Sequence, residues 1–143
     1  MRLAGHPLHP MLVHFPIALW TCALGADVAG MFVSGVAPAG IAYGASALGC
    51  LSGFIAMLAG ILDFAKLAKG SPARDTAVSH MMVMGAAWLI FLSGLALRGY
   101  PPPSPAPVAA FVLTAIGFAV MAAGAWMGGR LVYEFGVGRK PPD

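Results

Sequence analysis

Residues 41–66 read IAYGASALGCLSGFIAMLAGILDFAK, and from Ile41 to Leu62 no side chain carries a charge. An α-helix needs about 20 apolar residues to cross a hydrocarbon core of about 30 Å, so this stretch predicts a transmembrane helix over 41–66. Ala45, Gly49, Gly53, Ala56 and Gly60 recur along it at helical spacings. Lipid gives helices no hydrophobic reason to associate, and residues this small let neighbouring backbones pack closely instead. The helix is expected at the centre of a bundle.

Working outward, a first apolar stretch covers about 10–34, with Pro16 near its start and Asp27 toward its far end. A proline disfavours helix in the residue before it, so His6, His9 and Phe15 are biased toward extended backbone. Residues 5–15 therefore predict an irregular or kinked entry, with regular helix from about Pro16 and protein packed over the irregular part. After the central span, the loop KLAKGSPARDTAVS leads to a third span over about 78–98, with Ser79 or Thr76 as its cap. The proline-rich turn GYPPPSPAP precedes a fourth span over about 108–129, and the tail RLVYEFGVGRKPPD is polar enough to leave the membrane. No internal repeat is evident by eye. The histidines and prolines of MRLAGHPLHP stand where a signal peptide would have its apolar core, so the first span is expected to remain as an anchor.

The fold class that follows is an all-α, integral membrane four-helix bundle, a single domain over 1–143. Its 143 residues are 59% hydrophobic and 9% charged, leaving no room for a separate soluble domain. The net charge of +3 lacks the basic clustering with aromatics that nucleic acid requires. It reads as topology. Arg2, Lys66, Lys69, Arg74, Arg130, Arg139 and Lys140 share one side of the predicted bundle, and only Arg98 lies on the other. The positive-inside rule then puts both termini in the cytoplasm. Cys22 and Cys50 fall inside apolar segments and predict unpaired thiols.

In this topology His6, His9, His14 and His80 all meet the membrane from the cytoplasmic side, with Asp63, Arg130 and Glu134 in the same layer. Three readings of that gathering stand open. Neutral imidazoles on facing helices can supply both axial ligands of a heme b, with His9, His14 and His80 as candidates and Lys66, Arg74 or Arg130 against the propionates. Alternatively, His6, His9, Asp63 and His80 offer nitrogen and oxygen donors suited to zinc or iron, and His80 with Met81, Met82 and Met84 carries a weaker copper signal. In the third, the histidines are amphipathic residues at the headgroup boundary and HPLHP is a turn. Asp27 is separate: a carboxylate within a span costs about 2.5–3.5 kcal/mol to insert unless paired, so it should face the bundle, within reach of Thr114 or Tyr43. A proton relay and a hydrogen-bonded packing residue are both open for it. The sequence offers no nucleophile–base pair and no phosphate loop, which favours a carrier or accessory subunit over an enzyme.

The motif GHPLHPMLVHFPIAL at 5–19, the following Asp27, GILD at 60–63, His80 opening the third span and GGRLVYEFGVG at 128–138 together resemble the bacterial membrane family catalogued as domain of unknown function 2231. The likeness covers nearly the whole chain. It implies four transmembrane helices in the bacterial inner membrane and no assigned biochemical activity. Relatives fused to Rieske or cytochrome c domains imply electron transfer, with quinone or a redox protein as partner, and a place in a homo-oligomer or a larger membrane complex. The family pattern often has His or Glu at the position of Arg130 and Asn at that of Met84, which weakens the case for either residue as a ligand. The functional expectation is a redox or cofactor-binding membrane protein holding heme b near the cytoplasmic face; the alternative is a non-heme metal-binding or proton-coupled structural subunit.

Overall fold

A computed structural model describes residues 2, 3, 6–33, 36–103 and 106–139. Two short strands, β1 (Arg2–Leu3) and β2 (His6–Pro7), pair antiparallel ahead of α1 (Leu8–Leu12). Val13 then separates α1 from α2 (His14–Ala29), and three long helices follow: α3 (Val36–Phe64), α4 (Pro72–Arg98) and α5 (Val108–Tyr133). Among the described residues, counting α1 with α2, four helices are long and apolar enough to cross a membrane: Leu8–Ala29, Ala37–Phe64, Pro72–Arg98 and Val108–Tyr133.

The boundaries differ from expectation where capping chemistry outweighs hydropathy. Helix α4 starts at Pro72, ahead of the predicted 78, because Ser71 adopts extended backbone and its Oγ accepts from the Arg74 amide at 3.3 Å. Pro72 suits the first helical position, where its missing N–H costs nothing, and Asp75 lies in the first turn. Ser79 and Thr76 sit inside the helix. At the other end Gly99 takes φ +67, a left-handed conformation that glycine accepts without strain, and the helix stops. From Leu8 onward the N-terminal segment departs from helix only at Val13, which still accepts from the Ile17 amide at 3.3 Å. The predicted irregular entry is thus largely a broken helix.

Size is inverted relative to a soluble core. Ala23, Ala42, Ala87 and Ala110 are fully buried, whereas Phe32, Leu48, Leu89, Val108 and Trp126 point outward and are more than half exposed. Small residues inside and large apolar residues outside is the arrangement that suits helices solvated by lipid. Pairing is closest between α2 and α3 and between α4 and α5, so the bundle is two helical hairpins laid together. Between the hairpins the Trp20 and Phe91 rings stack at 4.2 Å, nearly parallel, at the centre of a cluster with Cys50, Ala87 and Met121.

Candidate cofactor site

The N-terminal segment, the α3–α4 loop and the C-terminal tail meet at one end of the bundle, where Pro7, Lys66 and Arg139 border a cavity of about 800 Å³. His9, His14 and His80 all line it, together with Trp20, Met84 and Trp88. A cavity of that size, apolar and with a few converging polar groups, matches the usual dimensions of a small-molecule or cofactor site.

His9 and His80 are held in the same way. The His9 Nδ1 donates to the Ala56 carbonyl at 2.8 Å, and the His80 Nδ1 donates to the Gly124 carbonyl at 2.8 Å. A carbonyl oxygen only accepts, so Nδ1 carries the proton in both rings and Nε2 of the neutral ring keeps its lone pair. Among the described residues neither Nε2 has a hydrogen-bond partner. One turn further along, each ring rests on a glycine. A Cβ built on Gly60 would lie 3.1 Å from His9 Cε1, and one on Gly128 would lie 3.2 Å from His80 Cε1. The two glycines leave room for the imidazoles to lie close against α3 and α5, and the carbonyl bonds fix their rotation. Nδ1 anchored to a carbonyl with Nε2 presented is the arrangement that orients histidine ligands in metal sites.

The remaining candidates fall elsewhere. His14 is exposed, with only a long 3.4 Å approach of Nδ1 to the Met11 carbonyl, and it meets the cavity at its border. Arg74 and Arg130 do not line the cavity. Arg74 donates to the Leu67 carbonyl at 3.0 Å with its guanidinium 4.2 Å over the Phe64 ring, and Arg130 pairs with Glu134 at 2.9 Å. Hydrogen bonds from Arg130 hold the exposed Glu134 carboxyl below its ordinary range. The cations bordering the cavity are Lys66, which pairs with Asp63 at 2.6 Å, and Arg139, which sequence reasoning passed over as part of a polar tail. Among the described residues no group of three or more His, Cys, Asp or Glu side chains is placed to hold a metal ion, so His9, Asp63 and His80 do not assemble; the His6 side chain lies outside the described residues.

At the opposite end Asp27 is buried, as expected, but its partner is Arg98. The guanidinium grips the carboxylate with two bonds, Nη1 to Oδ1 at 2.7 Å and Nη2 to Oδ2, and Nη2 also donates to Thr114 Oγ1 at 2.9 Å. Arg98 is only 2% exposed, so the one basic residue counted on that side is internal rather than a loop charge. Tyr43 is not a partner; it lies against Tyr100 with ring centroids 5.5 Å apart. Thr114 reaches Asp27 only through Arg98.

Four lipid-facing spans around a buried ion pair and an end cavity define a multi-pass membrane protein. More particularly, a family model described as predicted membrane protein (DUF2231) matches residues 5–141, and the chain belongs to that family. No curated protein and no solved structure matches it.

Proposed function

We propose that the chain is an electron-transfer protein of the membrane, holding heme b in the end cavity with His9 and His80 as its two axial ligands. The observation that carries this reading is the paired geometry of the imidazoles: both Nδ1 atoms are committed to backbone carbonyls, and both rings border one cavity with Nε2 uncommitted. Two nitrogen donors fall short of the three or four protein ligands that zinc requires. They suit iron that brings its other four ligands in a macrocycle. Trp88, Met84 and the glycine-lined faces of α3 and α5 give apolar walls, and the polar mouth at Lys66 and Arg139 is where propionates would emerge. Bound there, the heme would supply a one-electron couple; the protein's part is to fix the imidazoles, exclude water and set the potential through burial.

With the cavity at the end that carries the basic loops, we assign it to the cytoplasmic side, where a quinone in the bilayer or a redox protein at the surface can approach. The test is reconstitution of the purified protein with hemin. The expected result is a Soret band of a six-coordinate low-spin heme that sharpens and shifts on reduction with dithionite. Replacing both histidines (H9A/H80A) should abolish it while the protein still inserts. A wild-type protein that shows no heme spectrum as purified and takes up no hemin overturns the reading.

A further inference from the structure

The contacts between the two hairpins follow one interval. Asp27 and Arg98, the buried ion pair, are 71 positions apart. Trp20 and Phe91, the stacked pair, are also 71 apart, and so are His9 and His80. Burial repeats on the same interval: Pro16, Trp20, Ala23 and Asp27 on α2 correspond to Ala87, Phe91, Gly94 and Arg98 on α4, all of them buried. The second helices keep an interval of their own, 68 positions (117 from 49, 124 from 56, 128 from 60). It carries Gly49 onto Gly117, which receive the Trp20 and Phe91 rings, Ala56 onto Gly124, whose carbonyls receive His9 and His80, and Gly60 onto Gly128 beneath the two imidazoles. The buried hydroxyls Ser46 and Thr114 correspond as well.

Helical periodicity alone aligns buried faces at several intervals. It does not make residues touch their own counterparts. Contact between counterparts happens on a twofold axis, and here it occurs at mid-bundle in the ring stack and at one end in the ion pair, while the counterpart histidines border one cavity at the other end.

We infer that the chain is two copies of one helical-hairpin unit, α1–α3 and α4–α5, related by a pseudo-twofold axis along the bundle, and that the end cavity is a site on that axis to which His9 and His80 are equivalent donors. The first half stands on the contacts alone. The second rests on the heme reading and narrows it: the ligand is a centre that takes two like nitrogen donors from symmetry-related sides, as the metal of a planar macrocycle does, and neither histidine is the dominant ligand. The ion pair and the ring stack are positioning groups that keep the two units in register, so that the imidazoles stand at equal depth.

Two experiments separate the halves. In the first, the ion pair is exchanged across the axis. D27R and R98D singly should yield little folded protein in detergent, whereas D27R/R98D should recover most of the wild-type yield and melting temperature. If neither single variant folds, a folded double variant is itself the rescue. The exchange should also move the hydroxyl dependence: T114A should lower the melting temperature in the wild type and S46A should not, while in D27R/R98D the sensitivity should pass to S46A, because the new arginine meets Ser46 as Arg98 meets Thr114. A double variant no better than the worse single, or sensitivity that stays with T114A, overturns the axis. In the second, hemin is titrated into H9A and H80A. Equivalent donors predict losses of affinity that agree within about threefold, and a high-spin five-coordinate spectrum in both. A difference above tenfold between them overturns the equivalence while leaving heme binding intact. A wild type that binds no hemin overturns the heme reading and the donor assignment with it, and the axis is then decided by the charge exchange.

Discussion

Asp27 and Arg98 show what one titratable residue demands of a membrane bundle. Each side chain is 1% exposed, and each would be an uncompensated charge without the other. Removing one partner of a buried pair costs about 3–5 kcal/mol, because the survivor stays desolvated, whereas replacing both with apolar residues of similar volume is often neutral or stabilising. D27L and R98L should therefore each lower the melting temperature in detergent steeply, and D27L/R98L should melt above either single variant. A double variant that melts below both would mean that the pair stabilises the bundle by more than its desolvation costs. The sequence pointed to a buried Asp27 through insertion cost alone. It did not name Arg98, because a basic residue at the end of a span reads equally as a loop charge, and only the approach of α4 to α2 separates the two.

At the scale of the element, close helix approach was legible and its particular partner was not. Gly49 and Gly53 marked α3 as central, and they are where Trp20 lies against it: a Cβ on Gly49 would fall 2.6 Å from both Cδ1 and Nε1 of the indole. An indole wedged against Phe91 at 4.2 Å has nowhere to retreat. Gly44, on the same helix, has nothing within 4 Å of a built Cβ. G49A should lower the melting temperature by far more than any other single methyl added to α3, while G44A should be neutral or raise it, since alanine favours a helix by up to about 1 kcal/mol over glycine. Similar losses in the two variants would show that helix approach at Trp20 does not limit stability. Span existence came from hydropathy, and the start of α4 was missed because Ser71 and Pro72 act through capping geometry that a hydropathy window averages away. Of the candidate site, the gathering of His9, His14 and His80 at one end of the bundle was readable from the topology, but the pairing of His9 rather than His14 with His80 was not. Arg74 and Arg130 do not line the cavity, because their helix faces depend on the rotation of α4 and α5, which no charge count fixes. The repeat stayed hidden since its interval changes from 71 to 68 between the first and second helices, so no single offset aligns both, and its paired residues differ chemically: Trp with Phe, Asp with Arg.

For the molecule as a whole, the packing strengthens the argument about orientation that the charge count began. Arg98 was the single basic residue set against seven, and its burial in an ion pair removes it from the loops altogether. Of the seven others, the described Arg2, Lys66, Lys69, Arg74, Arg130 and Arg139 belong to the end of the bundle that holds the histidine cavity, and loop cations resist translocation whereas a neutralised, internal guanidinium does not enter the count. The expected orientation therefore has Pro7, Ser71 and Arg139 in the cytoplasm and Phe32 and Pro102 outside. Cysteine labelling can read this once Cys22, which is exposed on the bundle surface, and Cys50 have been replaced by alanine. In intact cells a membrane-impermeant maleimide should modify F32C, whose native side chain is 83% exposed beyond the end of α2, and should modify S71C only after the cells are opened. Adding basic residues to the Gly99–Pro103 turn should weaken this preference, since orientation is set by the difference between the two faces. Labelling of S71C in intact cells, with F32C protected, would invert the bundle, and the cavity with its two imidazoles would then open to the outside and require an external electron partner.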